Sequence, residues 1–305
     1  MTEQPPRIHV LINPHGGSGQ RKDAVANLQR LLATRLPHAT VEMIKPGGDV
    51  TEQARAACRA GAEIIVASGG DGTVNSVAQA VIGSPAHLGV LPFGTLNHFA
   101  KALGIPLDLP AAVDLLAQPS IRCVDVGRVN DRYFVNNASL GLYPQLVELR
   151  EHQKTVAFKP LRWVKALWEI VRTGKPILVS VEANGKIIRQ RAWLLFVGNN
   201  EYTLDLLNAG QRRHLNQAKL DVLLVGARRR WRIARLAFSA GRGRIKAKPL
   251  LRFETEQIKV YLTSSSPQCV AFDGETQTMQ SPFTFRTVPQ ALWVVAPPEE
   301  LVSGG

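Results

Sequence analysis

The chain has 305 residues, more than one hydrophobic core usually organises, so its length points to two lobes. Apolar residues make up 45% and charged residues 20%, which excludes a disordered or fibrous chain. The net charge of +13 points to an anionic partner or surface.

Ile8 to Asn13 reads as a first strand, followed by the loop Pro14-His15-Gly16-Gly17-Ser18-Gly19 and an amphipathic helix over Lys22 to Ala33. Thr40 to Lys45 is a second strand, and Thr51 to Ala60 a helix that Thr51 is placed to cap and Gly61 to end. Glu63 to Ala67 is a short apolar strand of buried type. It runs into Ser68-Gly69-Gly70-Asp71-Gly72-Thr73, and helical spacing returns over Val74 to Ile82. A fourth strand, His87 to Leu91, leads into Pro92-Phe93-Gly94-Thr95-Leu96-Asn97-His98. Strands alternating with helices predict a parallel sheet covered on both faces, with ligands at the carboxyl ends of its strands. All three glycine loops fall at such ends.

Beyond about Asp125 the rhythm changes to short runs rich in Val, Ile, Thr and aromatics, with Asn184-Gly185 as a hairpin signal. This half reads as antiparallel β, with helical exceptions over Thr155 to Thr173 and Arg229 to Ala240. The apolar run Ala291 to Ala296 is expected to return to the first lobe. The fold class is therefore an α/β N-terminal lobe with a parallel sheet and a mainly antiparallel β-sandwich C-terminal lobe. The expected boundaries are residues 1–124 with 289–305, and 125–288.

The first glycine loop can expose amides to a phosphate, but Gln20 and Arg21 replace the lysine and hydroxyl of a Walker A loop. In the second, glycines let the backbone approach phosphate, and Asp71 adds a carboxylate suited to a hard cation. An aspartate in such a turn can equally bond its own backbone, and Thr73, Asn75, Thr95 and Asn97 can act as helix caps. Late in the chain, Phe272-Asp273-Gly274-Glu275 offers two carboxylates, although Asp-Gly is also a common hairpin turn.

Taken in order, LINPHGGSG, ASGGDGTVNSV, LPFGTLNHFAKALGIP, VDVGRVNDRYFVNNASLGL and AFDGE resemble the catalytic-domain family of diacylglycerol and related lipid kinases, sphingosine kinases and bacterial members included. The resemblance implies a first lobe like that of phosphofructokinases and NAD kinases. It implies an ATP- and Mg-dependent kinase acting on a lipid hydroxyl, diacylglycerol before an amino-lipid. By resemblance, Asn13, Gly16, Gly17 and Gly19 contact nucleotide phosphates, and Gly70, Asp71, Gly72 and Thr73 hold the Mg-triphosphate through Asp71. Thr95 and Asn97 complete the nucleotide pocket, and Asp273, with Glu275 beside it, takes the hydroxyl proton.

Three departures stand out. His98 replaces an aspartate common in the family. Leu215 to Asp221 keeps only Asp221 of an acidic loop that holds a structural Mg in bacterial relatives, so no second metal site is expected. Pro144 and Gln145, with Glu148 a turn on, stand where sphingosine-type relatives carry an acid.

Nine Lys or Arg and no acid fall between Arg228 and Lys248, interleaved with Trp231, Ile233, Leu236 and Phe238. Such a segment suits an anionic membrane surface, and no nucleic-acid partner is expected. Trp163 and Trp168 read as core or lipid-pocket lining. Cys58, Cys123 and Cys269, odd in number and outside metal-ligand spacing, suit a reducing cytoplasm. Without an export signal or a run of about 18 to 20 apolar residues, a cytoplasmic protein peripheral to the inner membrane is expected. Edge strands leave room for a homodimer. An NAD kinase-like enzyme, a sphingoid- or ceramide-type lipid kinase, and an inactive membrane-binding regulator with the same fold are the alternatives.

Overall fold

A computed structural model describes residues 5–14, 21–142, 176–201, 215–226, 251–264 and 266–298. Gly16, Gly17 and Gly19, Pro144, Gln145 and Glu148, the stretch from Thr155 to Thr173 with Trp163 and Trp168, and Arg228 to Lys248 lie outside the described residues. The chain forms two compact units, Met1–Val126 with Pro289–Gly305, and Gly127–Val288.

In the first unit, β1 (Ile8–Ile12), β2 (Thr40–Met43), β3 (Ile64–Gly69) and β4 (His87–Pro92) make a parallel sheet in the order β2-β1-β3-β4. Strand β3 is buried at every position because helices lie on both faces, which is why its sequence is a continuous apolar run. The crossovers are α1 (Arg21–Arg35), α2 (Val50–Arg59) and α3 (Asp71–Val81). After β4 come α4 (His98–Leu103), α5 (Leu109–Ala117) and β5 (Ile121–Val129).

One local expectation is corrected, and one helix is added. Asp49, rather than Thr51, caps α2: its carboxylate accepts the N–H groups of Thr51 at 2.9 Å and Glu52 at 3.1 Å. An ionised acceptor at this position also meets the positive end of the helix dipole. Helix α5, with Ala112, Val113 and Leu116 buried on one face, is started by Asp108 accepting from the Ala111 N–H at 3.3 Å, with a proline in its first turn.

In the second unit, β6 (Arg132–Phe134), β7 (Asn137–Gly141), β8 (Ile177–Ala183), β9 (Lys186–Ala192) and β10 (Leu194–Asn199) are followed by β11 (Leu220–Val225), β12 (Leu251–Thr255) and β13 (Gln257–Leu262). Strands β14 (Gln268–Phe272), β15 (Glu275–Met279) and β16 (Phe283–Val295) complete it. One antiparallel sheet runs β12-β11-β10-β7-β14-β15. In the other, β13 lies between the start of β16 and β8, and β9 lies outside β8. Asn184 and Gly185 make the expected β8–β9 turn, both with positive φ (49° and 70°). The core between the sheets contains Val179, Val181, Ile258, Val260, Phe283 and Phe285 from one side and Leu140, Leu195, Val197, Val222 and Val270 from the other. Phe285 is fully buried there, and truncation to alanine would cost about 3 to 5 kcal/mol.

The chain crosses from the first unit to the second within β5 and returns within β16, whose Val294 pairs with Leu88 of β4. The apolar run Ala291 to Ala296 thus adds a strand to the parallel sheet.

Candidate active site

Three strand ends of the first unit are tied together. The Asn13 N–H donates to the Ser68 carbonyl at 2.8 Å, and the Asn13 side-chain amide donates to the Thr73 hydroxyl at 2.9 Å. The segment after β1 is thereby locked to the head of α3. Helix α3 begins at Asp71 itself, earlier than its hydrophobic spacing indicates, with Gly70 as a cap that contributes no side chain.

The loop after β4 presses on the same glycine. A Cβ on Gly94 would stand 2.5 Å from the Gly70 Cα and 2.7 Å from the Asn97 Oδ1, so only glycine fits. Asn97, at φ 51°, folds its amide back onto Gly94: it accepts the Gly94 N–H at 3.0 Å and donates to the Gly94 carbonyl at 3.1 Å. Since that amide closes its own loop, α4 is left without a cap from its Ncap side chain. Asp71 supplies one from 28 residues away, its Oδ1 accepting the Phe99 N–H at 3.1 Å. The half-buried Asp71 carboxylate therefore spends one bond on architecture, out of roughly four lone-pair sites that a carboxylate has. Thr95 is exposed and His98 half-buried at the start of α4.

Asp273 is built differently. It and Gly274, both at positive φ (50° and 91°), form the two-residue turn between β14 and β15, with Phe272 paired to Glu275. Its carboxylate is buried and accepts three backbone N–H groups: Val135 at 2.7 Å, Asn136 at 2.8 Å and Asn137 at 3.0 Å. The link between β6 and β7 is gripped from another side by Asn199, whose side-chain amide donates to the Val135 carbonyl at 3.1 Å. Glu275 is exposed.

Asp221 is held by Arg252, which donates from Nε to Oδ1 at 3.0 Å and from Nη2 to Oδ2 at 2.7 Å. The Asp221 side chain is only 1% exposed, and its hydrogen bond pushes the Arg252 guanidinium further above its ordinary range. What remains of the acidic loop is an ion pair.

Residues 7–129 match the diacylglycerol kinase catalytic domain, and residues 141–296 match the YegS C-terminal NAD kinase beta sandwich-like domain. The diacylglycerol kinases of Staphylococcus aureus, that of strain Newman among them, are 31% identical over 222 residues, spanning 70% of this chain and 67% of theirs. The crystal structure of a diacylglycerol kinase from Bacillus anthracis str. Sterne superposes with a TM-score of 0.68 at 19% identity, covering 96% of this chain and 97% of that one. This chain belongs to the diacylglycerol kinase catalytic-domain family. It is a lipid kinase, and ATP is the co-substrate that a kinase requires.

Within this lipid kinase, the structure brings Asn13, Gly70, Asp71, Gly72, Thr73 and Asn97 to the carboxyl ends of neighbouring strands, with Thr95 on the same loop as Asn97. Asp273 and Glu275 fall together on a turn of the second unit. Among the described residues no three His, Cys, Asp or Glu side chains cluster as a metal cage. A single hard carboxylate, Asp71, fits Mg, which commonly takes one or two carboxylates, keeps its waters and is completed by substrate phosphates.

Sequence reading missed Ser68, whose buried hydroxyl at the end of β3 has no hydrogen-bond partner among the described residues, and the adjacent pair Asn199 and Asn200 at the end of β10, both fully buried. Two asparagines closing an apolar strand were the available signal in the second case. In the first there was none, because a serine before a glycine loop looks like loop composition. Among the described residues no helix is long and apolar enough to cross a membrane.

Proposed function

We propose that this lipid kinase transfers the terminal phosphoryl group of Mg-ATP to the hydroxyl of diacylglycerol, giving phosphatidic acid. The observation that carries the reading is Asp71 at the head of α3, fixed by the Phe99 N–H within glycine loops that come backbone to backbone. Amides at a helix start carry about half a positive charge and suit phosphate oxygens, while Asp71 would hold the Mg that accompanies them. Mg would supply charge neutralisation on the phosphates as transfer proceeds.

The lipid hydroxyl oxygen bonds to the terminal phosphorus as the bond to the bridging oxygen of ATP breaks, and the hydroxyl proton goes to a carboxylate. Asp273 is assigned that role. Its three N–H bonds hold the carboxylate in one orientation. Glu275, two residues on, adds negative potential beside it. The absence of an acid at Pro144 and Gln145 and the names of the 31% identical relatives support a neutral glycerolipid over an amino-lipid.

The test is phosphate transfer from labelled ATP to diacylglycerol, sphingosine, ceramide and NAD, with Mg and with chelator, and with products identified by mass. Labelled phosphatidic acid formed only with Mg is the expected result. Transfer to NAD alone would overturn the lipid substrate, and transfer to sphingosine in preference would overturn the glycerolipid.

A further inference from the structure

Strand alternation in the second unit leaves one sheet face with an unusual composition. Val179, Val181, Ile258 and Val260 point into the core, so their neighbours in sequence point out. Leu178, Ile187 and Tyr261 stand on that outer face at 43%, 65% and 40% exposure. They are three of the seven exposed large hydrophobic residues among those described, on three adjacent strands. Register places cations among them: Arg191 is opposite Leu178, Arg189 opposite Ser180, and Lys259 opposite Glu182. Arg286, opposite Gln257, extends the same face. Among the described residues of β8, β9 and β13, Glu182 is the one carboxylate on this face, and it accepts the Tyr261 hydroxyl at 3.3 Å.

We propose that the outer face of β8, β9 and β13 is a docking surface for an anionic lipid bilayer. Exposed aliphatics between guanidinium and ammonium groups are what a headgroup boundary rewards: the cations meet lipid phosphates and the apolar side chains enter the acyl margin. A second copy of the chain suits the face poorly. Strand β9 pairs only with β8 among the described strands, and Lys186, Arg189 and Arg191 lie along it, so antiparallel self-pairing crowds cations together. Nucleic acid suits it less as well, since two of its three apolar residues are aliphatic and offer no ring for a base to stack on. The assignment deepens the reading of a lipid substrate, because an enzyme whose substrate stays in the bilayer gains from a surface that holds it there.

The experiment is co-sedimentation of the full chain, without ATP, with vesicles of phosphatidylcholine alone or mixed with phosphatidylglycerol. Arg189→Gln combined with Arg191→Gln should lower partitioning onto the mixed vesicles by about 5-fold per cation, so about 25-fold for the pair, and leave the weak binding to pure phosphatidylcholine unchanged. Ile187→Ser should lower binding to both. All three positions are exposed, and unchanged thermal melts would show that the fold persists. Binding by the double variant equal to wild type overturns the proposal. So does a dimer that Ile187→Ser converts to monomer while vesicle binding holds, or a variant that loses duplex DNA but keeps vesicles. Transfer to a short-chain diacylglycerol dispersed without vesicles separates the two readings. If wild type and variant phosphorylate it equally, the defect belongs to docking. If neither phosphorylates any lipid, the substrate reading falls while the vesicle result stands on its own.

Discussion

Asp71 and Asp273 are both aspartates before a glycine, and the fold treats them in opposite ways. Asp71 opens a helix, is half-buried and accepts the Phe99 N–H. Asp273 sits in a two-residue hairpin, is buried and accepts three N–H groups from the link between β6 and β7. A carboxylate with one structural bond has room for a ligand; one with three has become part of the scaffold whatever chemistry it also does. Sequence context alone makes the two look alike, so substitutions at each should separate into different observables.

The largest effect falls on catalysis at the first. Asp71→Ala should lower kcat/KM for lipid phosphorylation by about 10³-fold, from loss of a preorganised charge at the phosphates, while unfolding stability falls by only about 1 kcal/mol for the lost α4 cap. Steady-state kinetics beside urea melts checks both halves. A variant that loses stability in proportion to activity would make Asp71 as architectural as Asp273.

Next comes Asp273→Ala, which strands three backbone donors and should cost about 3 kcal/mol in urea unfolding. Asp273→Asn keeps one acceptor oxygen but turns an NH2 toward the same donors, so it should recover only part of that loss. Lost activity in the alanine variant is therefore no measure of proton transfer unless its melt is recorded alongside. If both variants melt like wild type, the three bonds contribute little and the comparison fails on this side.

How far these differences could be read in the sequence depends on range. The parallel strands and their glycine loops were legible because periodicity and turn chemistry are local: the run Ile64 to Ala67 before Gly69 and Gly70 is a buried strand ending in a turn whatever surrounds it. The Asn184-Gly185 hairpin was legible for the same reason. What escaped depends on partners far along the chain. Nothing near Asp71 indicates that it caps a helix at Phe99, and nothing near Asp273 indicates Val135 to Asn137, 136 to 138 residues away. The cap of α2 failed more simply: Asp49 and Thr51 both qualify, and Pro46, Gly47 and Gly48 before them delay the helix without saying which one starts it. Asp221 was visible as the remnant of an acidic loop, but its partner Arg252 lies on the next strand of the sheet, 31 residues on.

That ion pair extends the comparison to a third aspartate. Arg252→Met removes the bidentate partner of a side chain that is only 1% exposed, and the cost should be about 2 kcal/mol, below that of a fully buried pair because Arg252 itself is 41% exposed. Combining it with Asp221→Leu should restore most of the loss, since a pair replaced together leaves no charge behind. Urea unfolding of the two single variants and the double variant reads the coupling directly. A double variant as unstable as the sum of the singles would mean that Asp221 and Arg252 act separately.

The smallest effect tests whether the first unit also holds scaffold carboxylates, and Cys123 on β5 reports on one. Asp125 is 2% exposed and accepts the Gln290 N–H at 2.9 Å, and its charge lies close enough to act on the neighbouring thiol. Burial first, and that charge second, push the Cys123 thiol above its ordinary value of 9.0. The folded chain therefore keeps this proton to a higher pH than the unfolded chain does. The stability this contributes is complete below the unfolded thiol's value and is lost as pH rises through the higher folded value. Alkylation followed by peptide mass across pH 7 to 10 should show Cys123 reaching its half-maximal rate at higher pH in the native chain than in urea, since thiolate is the reactive form. A native profile shifted downward would mean that the strand does not shield this thiol and that Asp125 is not held as a buried charge. The contrast would then lie between the two units, rather than between a carboxylate with one structural bond and those the strands have claimed.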